Sequence, residues 1–159
     1  MDKHPFEFDI KKYTAQYSGT LYRIGKKHYD PWTASGFEAR WNGPGTGSIY
    51  LGDCPQVCEQ EVPGGPQAGQ HRLWRADVSG GRILDLTKAA QDGFDLGQHM
   101  VPSGSGGWAL NREASNYLHQ AGYEGAVYPS CKDALHKCMV LYLDNHSLSS
   151  GSFTVVKDY

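Results

Sequence analysis

The sequence predicts an α+β fold in one compact domain. Its 159 residues match the size of a single domain, and a chain of about this length buries roughly two-thirds of its unfolded surface without a staple. Strand-like and helix-like stretches are mixed, and they lack the regular alternation that a doubly wound sheet requires. Many of the 20 glycines fall in loops, where they mark the boundaries between elements.

Residues 1–20 read as a leading segment, with a short helix or a loop around Asp9–Tyr17. Thr20-Leu-Tyr-Arg-Ile24 alternates and ends at Gly25, as a strand does. Asp30-Pro31 and Ser35-Gly36 place Lys26–Phe37 in a loop. Gly43-Pro-Gly-Thr-Gly47 cannot be regular structure, and it feeds a short apolar strand, Ser48–Leu51. Asp53 is a natural N-cap and Pro55 suits a first turn, so a helix is expected over about Cys54–Val62. Pro63-Gly-Gly-Pro66 stops it. His71–Val78 alternates as a strand, Ser79-Gly-Gly81 reads as a turn, and Arg82–Leu86 reads as a second short strand. These two runs form a hairpin or pack against each other. Thr87 caps a helix that begins at Lys88 and ends by Gly93. After the loop Pro102–Gly107, Trp108, Ala114 or Ser115, Leu118 and Ala121 form a helical stripe, and Gly122 is its C-cap. Gly125–Tyr128 and Cys138–Leu143 are buried strands, and Phe153–Val156 is a final strand at an edge.

Charge and composition remove several function classes. Fifteen Lys+Arg against 17 Asp+Glu leave a net charge of −2, where direct nucleic-acid binding predicts a basic surplus. No apolar run approaches the ~20 residues of a membrane span. The opening MDKHPFEFDIKKY lacks the apolar centre of a signal peptide. Both observations favour a cytoplasmic protein. The cysteines, Cys54, Cys58, Cys131 and Cys138, are spaced C-x3-C and C-x6-C. Those spacings make a poor pair of zinc knuckles, and free, partly buried thiols are the simpler reading. No metal is expected.

Several residues carry chemistry if they converge. Arg40, beside a glycine-rich loop, is either a solvated arginine or a bidentate clamp on phosphate or carboxylate. Tyr50 is either a core residue or a ring that stacks on a flat ligand. Glu59 and Glu61 lie two apart on the helix, hence on different faces, so one at most enters a pocket. Ser130 follows a strand end without a G-x-S-x-G elbow, which argues against a hydrolase serine. His136 and His146 flank the Cys138–Leu143 strand and read as surface or turn residues.

Taken in order, these blocks resemble the RES family, bacterial toxin domains named for an Arg, a Glu and a Ser. Leu-Tyr-Arg-Ile at 21–24 resembles the family's opening strand. Arg40-Trp-Asn-Gly-Pro-Gly followed by Ser-Ile-Tyr-Leu at 48–51 resembles its central pattern. Gly122-Tyr-Glu-Gly-Ala-Val-Tyr-Pro-Ser130 resembles the block ending in the serine. The likeness spans most of residues 20–145. It implies an ADP-ribosyltransferase-like fold of mixed sheets over residues 20–159, after an N-terminal extension of residues 1–19. It implies NAD as a substrate, with no cofactor, cleaved at the nicotinamide–ribose bond by a glycohydrolase or phosphorylase. An antitoxin or immunity protein would be the partner. Transfer of ADP-ribose to a protein and a non-catalytic binding module are the alternatives. Carried over by position, Arg40, Tyr50 and Ser130 are the family arginine, tyrosine and serine. Glu61 is the glutamate by its spacing from Tyr50, with Glu59 as the fallback, and Arg23 is a further NAD-binding residue. One departure stands out: Pro63-Gly-Gly-Pro66 cuts short a helix that runs on in the family.

Overall fold

A computed structural model describes residues 6, 8–33, 47–94, 109–130, 135–146, 148 and 150–159. Its frame is a pair of long antiparallel strands, β1 (Thr14–Lys26) and β3 (His71–Asp85), paired from Thr14↔Leu84 to Lys26↔His71. On β3 the alternation is direct: Trp74, Ala76 and Val78 are buried, and Arg75, Asp77 and Ser79 are exposed. A period of two puts successive side chains on opposite faces.

The strand differs from the sequence expectation at Ser79-Gly-Gly81. These residues do not turn; they lie inside β3, and the strand runs on to Asp85. The register shifts between Ala15 and Tyr17 of β1, opposite Gly80 to Ile83. Gly-Gly therefore serves a bulge rather than a turn. Glu124 Oε2 accepts the Arg82 amide at 3.0 Å beside that bulge. No hairpin forms, because β3 takes β1 as its neighbour along its whole length.

The other strands are β2 (Ser48–Gly52), β4 (Gly125–Pro129), β5 (Lys137–Tyr142) and β6 (Thr154–Asp158). Among the described residues the order is β1-β2-β5-β4-β3-β6, with β1 also paired to β3. The pairings therefore close a ring through β1, β2, β5, β4 and β3. β3 pairs with β6 at Arg72–Arg75 and, in parallel, with β4 at Ile83–Asp85. β6 lies at the end of the order and is exposed throughout, as an edge strand.

β4 and β5 are buried on both faces and supply two cores. Leu21, Ile49, Leu51, Ala76, Val78, Ile83, Val127, Met139 and Leu141 fill one, with residues from all five strands of the ring. Ala126, Tyr128, Cys138, Val140 and Tyr142 face the other way, against three helices. These are α1 (Pro55–Glu61), α2 (Leu86–Gln91) and α3 (Ala109–Gln120). α2 starts earlier than Thr87 predicts. Asp85 is its cap and accepts the Lys88 amide at 3.0 Å. α3 buries Ala114, Ser115 and Leu118, and Gly122 at φ +83° follows its end. Trp108 lies outside the described residues. Before β1, Phe6, Phe8, Ile10 and Tyr13 enter the same core, around a 3₁₀ helix at Ile10–Tyr13. β1 itself begins at Thr14, ahead of the expected Thr20.

Candidate functional site

The site is built around α1. β2 delivers the chain to it through Gly52, where a Cβ would lie 2.8 Å from Cys58 Sγ and against Val57. A side chain there would push the helix off the sheet. Pro55 occupies the first turn, where its missing N–H costs nothing. Val57 and Cys58 point into the core. The helix ends at Glu61, and Gly64 and Gly65, at φ +74° and +78°, turn the chain away.

Glu59 and Glu61 consequently face different partners. Ser130 Oγ donates to Glu61 Oε1 at 3.0 Å, which joins residues 69 apart in the chain. Ser130 is buried at 3% exposure, just past β4, and its amide donates to the His136 carbonyl at 2.9 Å. Glu59 is taken up by the C-terminus: Tyr159 Oη donates to Glu59 Oε2 at 2.8 Å, and Lys157 Nζ lies 3.9 Å from it.

A second grouping lies at Arg23. Its Nη1 donates to the Tyr50 carbonyl at 3.3 Å and its Nη2 to the Thr33 carbonyl at 3.4 Å. Its Nε is buried without a hydrogen-bond partner among the described residues. Burial holds the Arg23 pKa below its ordinary value. Tyr50 is half-buried and packs against the helix-side core. Cys58 links the two groupings. Its thiol donates to the Tyr22 carbonyl at 3.3 Å, and burial pushes its pKa up to about 12, with the charge of Glu61 adding to the rise. Arg40 lies outside the described residues, as does Cys131. Cys54 and Cys58 are free thiols.

Three expectations change here. Asp53 does not cap α1; Cys54 occupies the N-cap position without a side-chain hydrogen bond. The Asp53 carboxylate is drawn across to β5, where Oδ2 accepts the Lys137 amide at 3.0 Å and Oδ1 pairs with His136 Nδ1 at 3.0 Å. His136 is not a plain surface residue. Its Nδ1 also lies 3.5 Å from Cys54 Sγ, so Asp53, Cys54 and His136 form one cluster with potential metal-ligand atoms within 4.8 Å of one another. Pairing cysteines with cysteines missed this grouping, since its signal is an Asp-Cys dipeptide and a histidine 82 residues beyond Cys54. His146 is buried at 9% exposure and structural, with Nε2 3.0 Å from the Ser79 carbonyl oxygen and Nδ1 accepting the Leu148 amide.

This ring of strands, with a carboxylate and a serine joined beside α1, defines a small α+β domain with polar groupings at the strand ends. The chain belongs to the RES domain family, whose pattern it matches over residues 20–155. Among solved structures it is similar to a chain of the M. tuberculosis MbcT–MbcA toxin–antitoxin complex, at 22% identity and a TM-score of 0.70. The likeness covers 92% of this chain and 85% of that one. No curated protein sequence matches it. Among the described residues no helix is long and apolar enough to cross a membrane.

Proposed function

We propose that this chain is a toxin domain that cleaves NAD at the bond between nicotinamide and ribose, and that an antitoxin or immunity protein neutralises it. The observation that supports this best is the Ser130–Glu61 hydrogen bond at 3.0 Å. It aligns a carboxylate next to a family serine, although α1 ends at that very glutamate. Membership of the RES family and a fold shared with a chain of a toxin–antitoxin complex support the toxin class and the type of partner. The place of action is the cytoplasm of the producing cell or of a target cell.

In this reading the bond from the ribose carbon to the nicotinamide nitrogen breaks with its electron pair going to the ring. Nicotinamide leaves neutral, and positive charge develops on the ribose. The Glu61 carboxylate stabilises that charge, as carboxylates do in glycoside cleavage. Ser130 fixes the carboxylate by donating to one oxygen, which leaves the other for the ribose. Tyr50 stacks on nicotinamide, while Arg23 holds the Tyr50 main chain in place. Arg40 and the glycine amides that follow it bind the diphosphate. Water captures the ribose carbon and releases a proton to give ADP-ribose. Phosphate as the acceptor gives the anomeric phosphate ester instead.

The test incubates purified protein with NAD, with and without phosphate, and follows nicotinamide release. Release that needs phosphate marks a phosphorylase, and release without it marks a glycohydrolase. Label passing from NAD to a macromolecule in lysate marks an ADP-ribosyltransferase. The absence of release and of label, with folded protein, refutes catalysis and leaves a binding module.

A further inference from the structure

We infer that Asp53, Cys54 and His136 form a binding site for a thiophilic divalent cation of the zinc class. Three donor types converge from two segments: the link between β2 and α1, and the start of β5. Cys54 Sγ lies 3.5 Å from His136 Nδ1, and Asp53 Oδ1 lies 3.0 Å from the same nitrogen. Tetrahedral zinc with ordinary bond lengths places sulfur and nitrogen about 3.5 Å apart, and nitrogen and oxygen about 3.3 Å apart. The observed separations match the first edge and need an opening of a few tenths of an ångström at the second.

The geometry favours ligation over a nucleophilic triad. In a Cys-His-Asp relay the thiol and the carboxylate address opposite ring nitrogens. Here both approach Nδ1, and Cys54 Sγ is farther from Nε2, at 3.9 Å. Three ligand atoms within 4.8 Å of one another suit a shared ion better than a path for a proton.

The supports around the cluster already orient its members. Asp53 Oδ2 accepts the Lys137 amide at 3.0 Å, which leaves Oδ1 directed at the histidine. Asp53 N donates to the Lys137 carbonyl at 3.0 Å, and Ser130 N donates to the His136 carbonyl at 2.9 Å. Such outer contacts hold ligands in position and raise affinity. The Asp53 and His136 side chains keep 32% and 36% of their surface exposed, so a cation has a path in. A thiolate donor selects zinc-class ions over magnesium and calcium, and the described residues supply three of the four tetrahedral ligands. Binding replaces the thiol proton, which goes to solvent, while the imidazole carries its proton on Nε2 and ligates through Nδ1.

The test titrates chelator-treated, reduced full-length protein with Co²⁺. A thiolate-to-cobalt charge-transfer band is expected to saturate at one equivalent and to be bleached by Zn²⁺. Cys54→Ser should abolish the band. His136→Gln and Asp53→Asn should each weaken binding by at least the roughly 10–100-fold that loss of an outer-shell partner costs, with folding checked by circular dichroism. Cys58→Ala should keep the band, since that thiol faces the core. Zn²⁺ should also raise the melting temperature of the parent protein but not of His136→Gln. The absence of a band in the parent protein, or a band that survives in folded Cys54→Ser, would overturn the site whatever the outcome of the NAD assay.

Discussion

Glu59 and Glu61 provide an internal control, because they sit two residues apart on one short helix and face different partners. Consider Glu61→Gln. The amide keeps an oxygen for Ser130 Oγ, so the 3.0 Å contact can persist while the negative charge is lost. Removing one electrostatic group that acts on the developing charge costs about 10²–10³ in kcat, or about 2.7–4 kcal/mol. Stability should hardly change. Glu61 is exposed, so water replaces much of what the carboxylate offers its neighbour, and the loss should stay under about 1 kcal/mol. At about 2–4 °C per kcal/mol for a chain of this size, the melting temperature should fall by no more than a few degrees. Glu59→Gln is the matched perturbation. It retains an acceptor for Tyr159 and loses the ion pair with a Lys157 side chain that is 54% exposed, a type of pair worth about 0–1 kcal/mol. It should keep near-parental nicotinamide release. The assay is kcat and KM for nicotinamide release from NAD, alongside thermal melts. Equal activity in both variants, or an equal loss in both, refutes the assignment of Glu61 to the ribose.

Three further outcomes follow from other parts of the fold. Gly125→Ala should destabilise strongly, since its Cβ would meet the Val140 carbonyl and lie 3.0 Å from Leu141 Cδ2 between two paired strands; overpacking costs about 1–3 kcal/mol, and a melt unchanged within error would refute the tight β4–β5 spacing. The raised Cys58 pKa makes a pH prediction. Its folded value near 12 stands above the reference of 9.0, so its contribution is complete below about pH 9 and declines as pH rises toward 12, by up to about 1.4 kcal/mol per pH unit. Cys58→Ala should flatten the alkaline limb of a denaturant-melt series, and identical slopes would refute the buried thiol. Tyr159→Phe should lower stability by about 1 kcal/mol through loss of a hydrogen bond to a carboxylate that is partly exposed, and an unchanged urea midpoint would refute the contact.

Much of this architecture was legible from local pattern. β2, β4, β5, the α3 stripe and the Gly122 cap follow from periodicity and turn chemistry within one window. The choice of Glu61 over Glu59 comes from the family resemblance rather than from local pattern; in the structure Glu61 meets Ser130 and Glu59 meets Tyr159. What escaped was decided by neighbours distant in sequence. Ser79-Gly-Gly81 has the composition of a turn, yet β1 lies alongside it and the chain stays extended. Asp53 has the residue type of a cap, but the pairing Gly52↔Cys138 brings β5 within reach and its carboxylate goes there. His136 carries no local signal, because its partners are set by that same register. Thr87 lost the cap of α2 to Asp85, whose oxygen reaches the Lys88 amide while Thr87 Oγ1 stays buried without a partner among the described residues.

The short α1 helix answers the departure that Pro63-Gly-Gly-Pro66 introduces. Seven residues fall far below the roughly 12–15 that sustain an isolated helix in water, so tertiary contacts must hold it. They do so at both ends and along its inner face. Asp53, just ahead of α1, is tied to β5 through the Lys137 amide and carbonyl. Val57 and Cys58 pack on Gly52, where a side chain would not fit. Glu59 is held by Tyr159 and Glu61 by Ser130. A longer helix would add residues beyond Glu61 without adding to these contacts. The position of the carboxylate is therefore set by the strands that α1 touches, and the proline-glycine stop begins two residues after the glutamate that the fold has positioned.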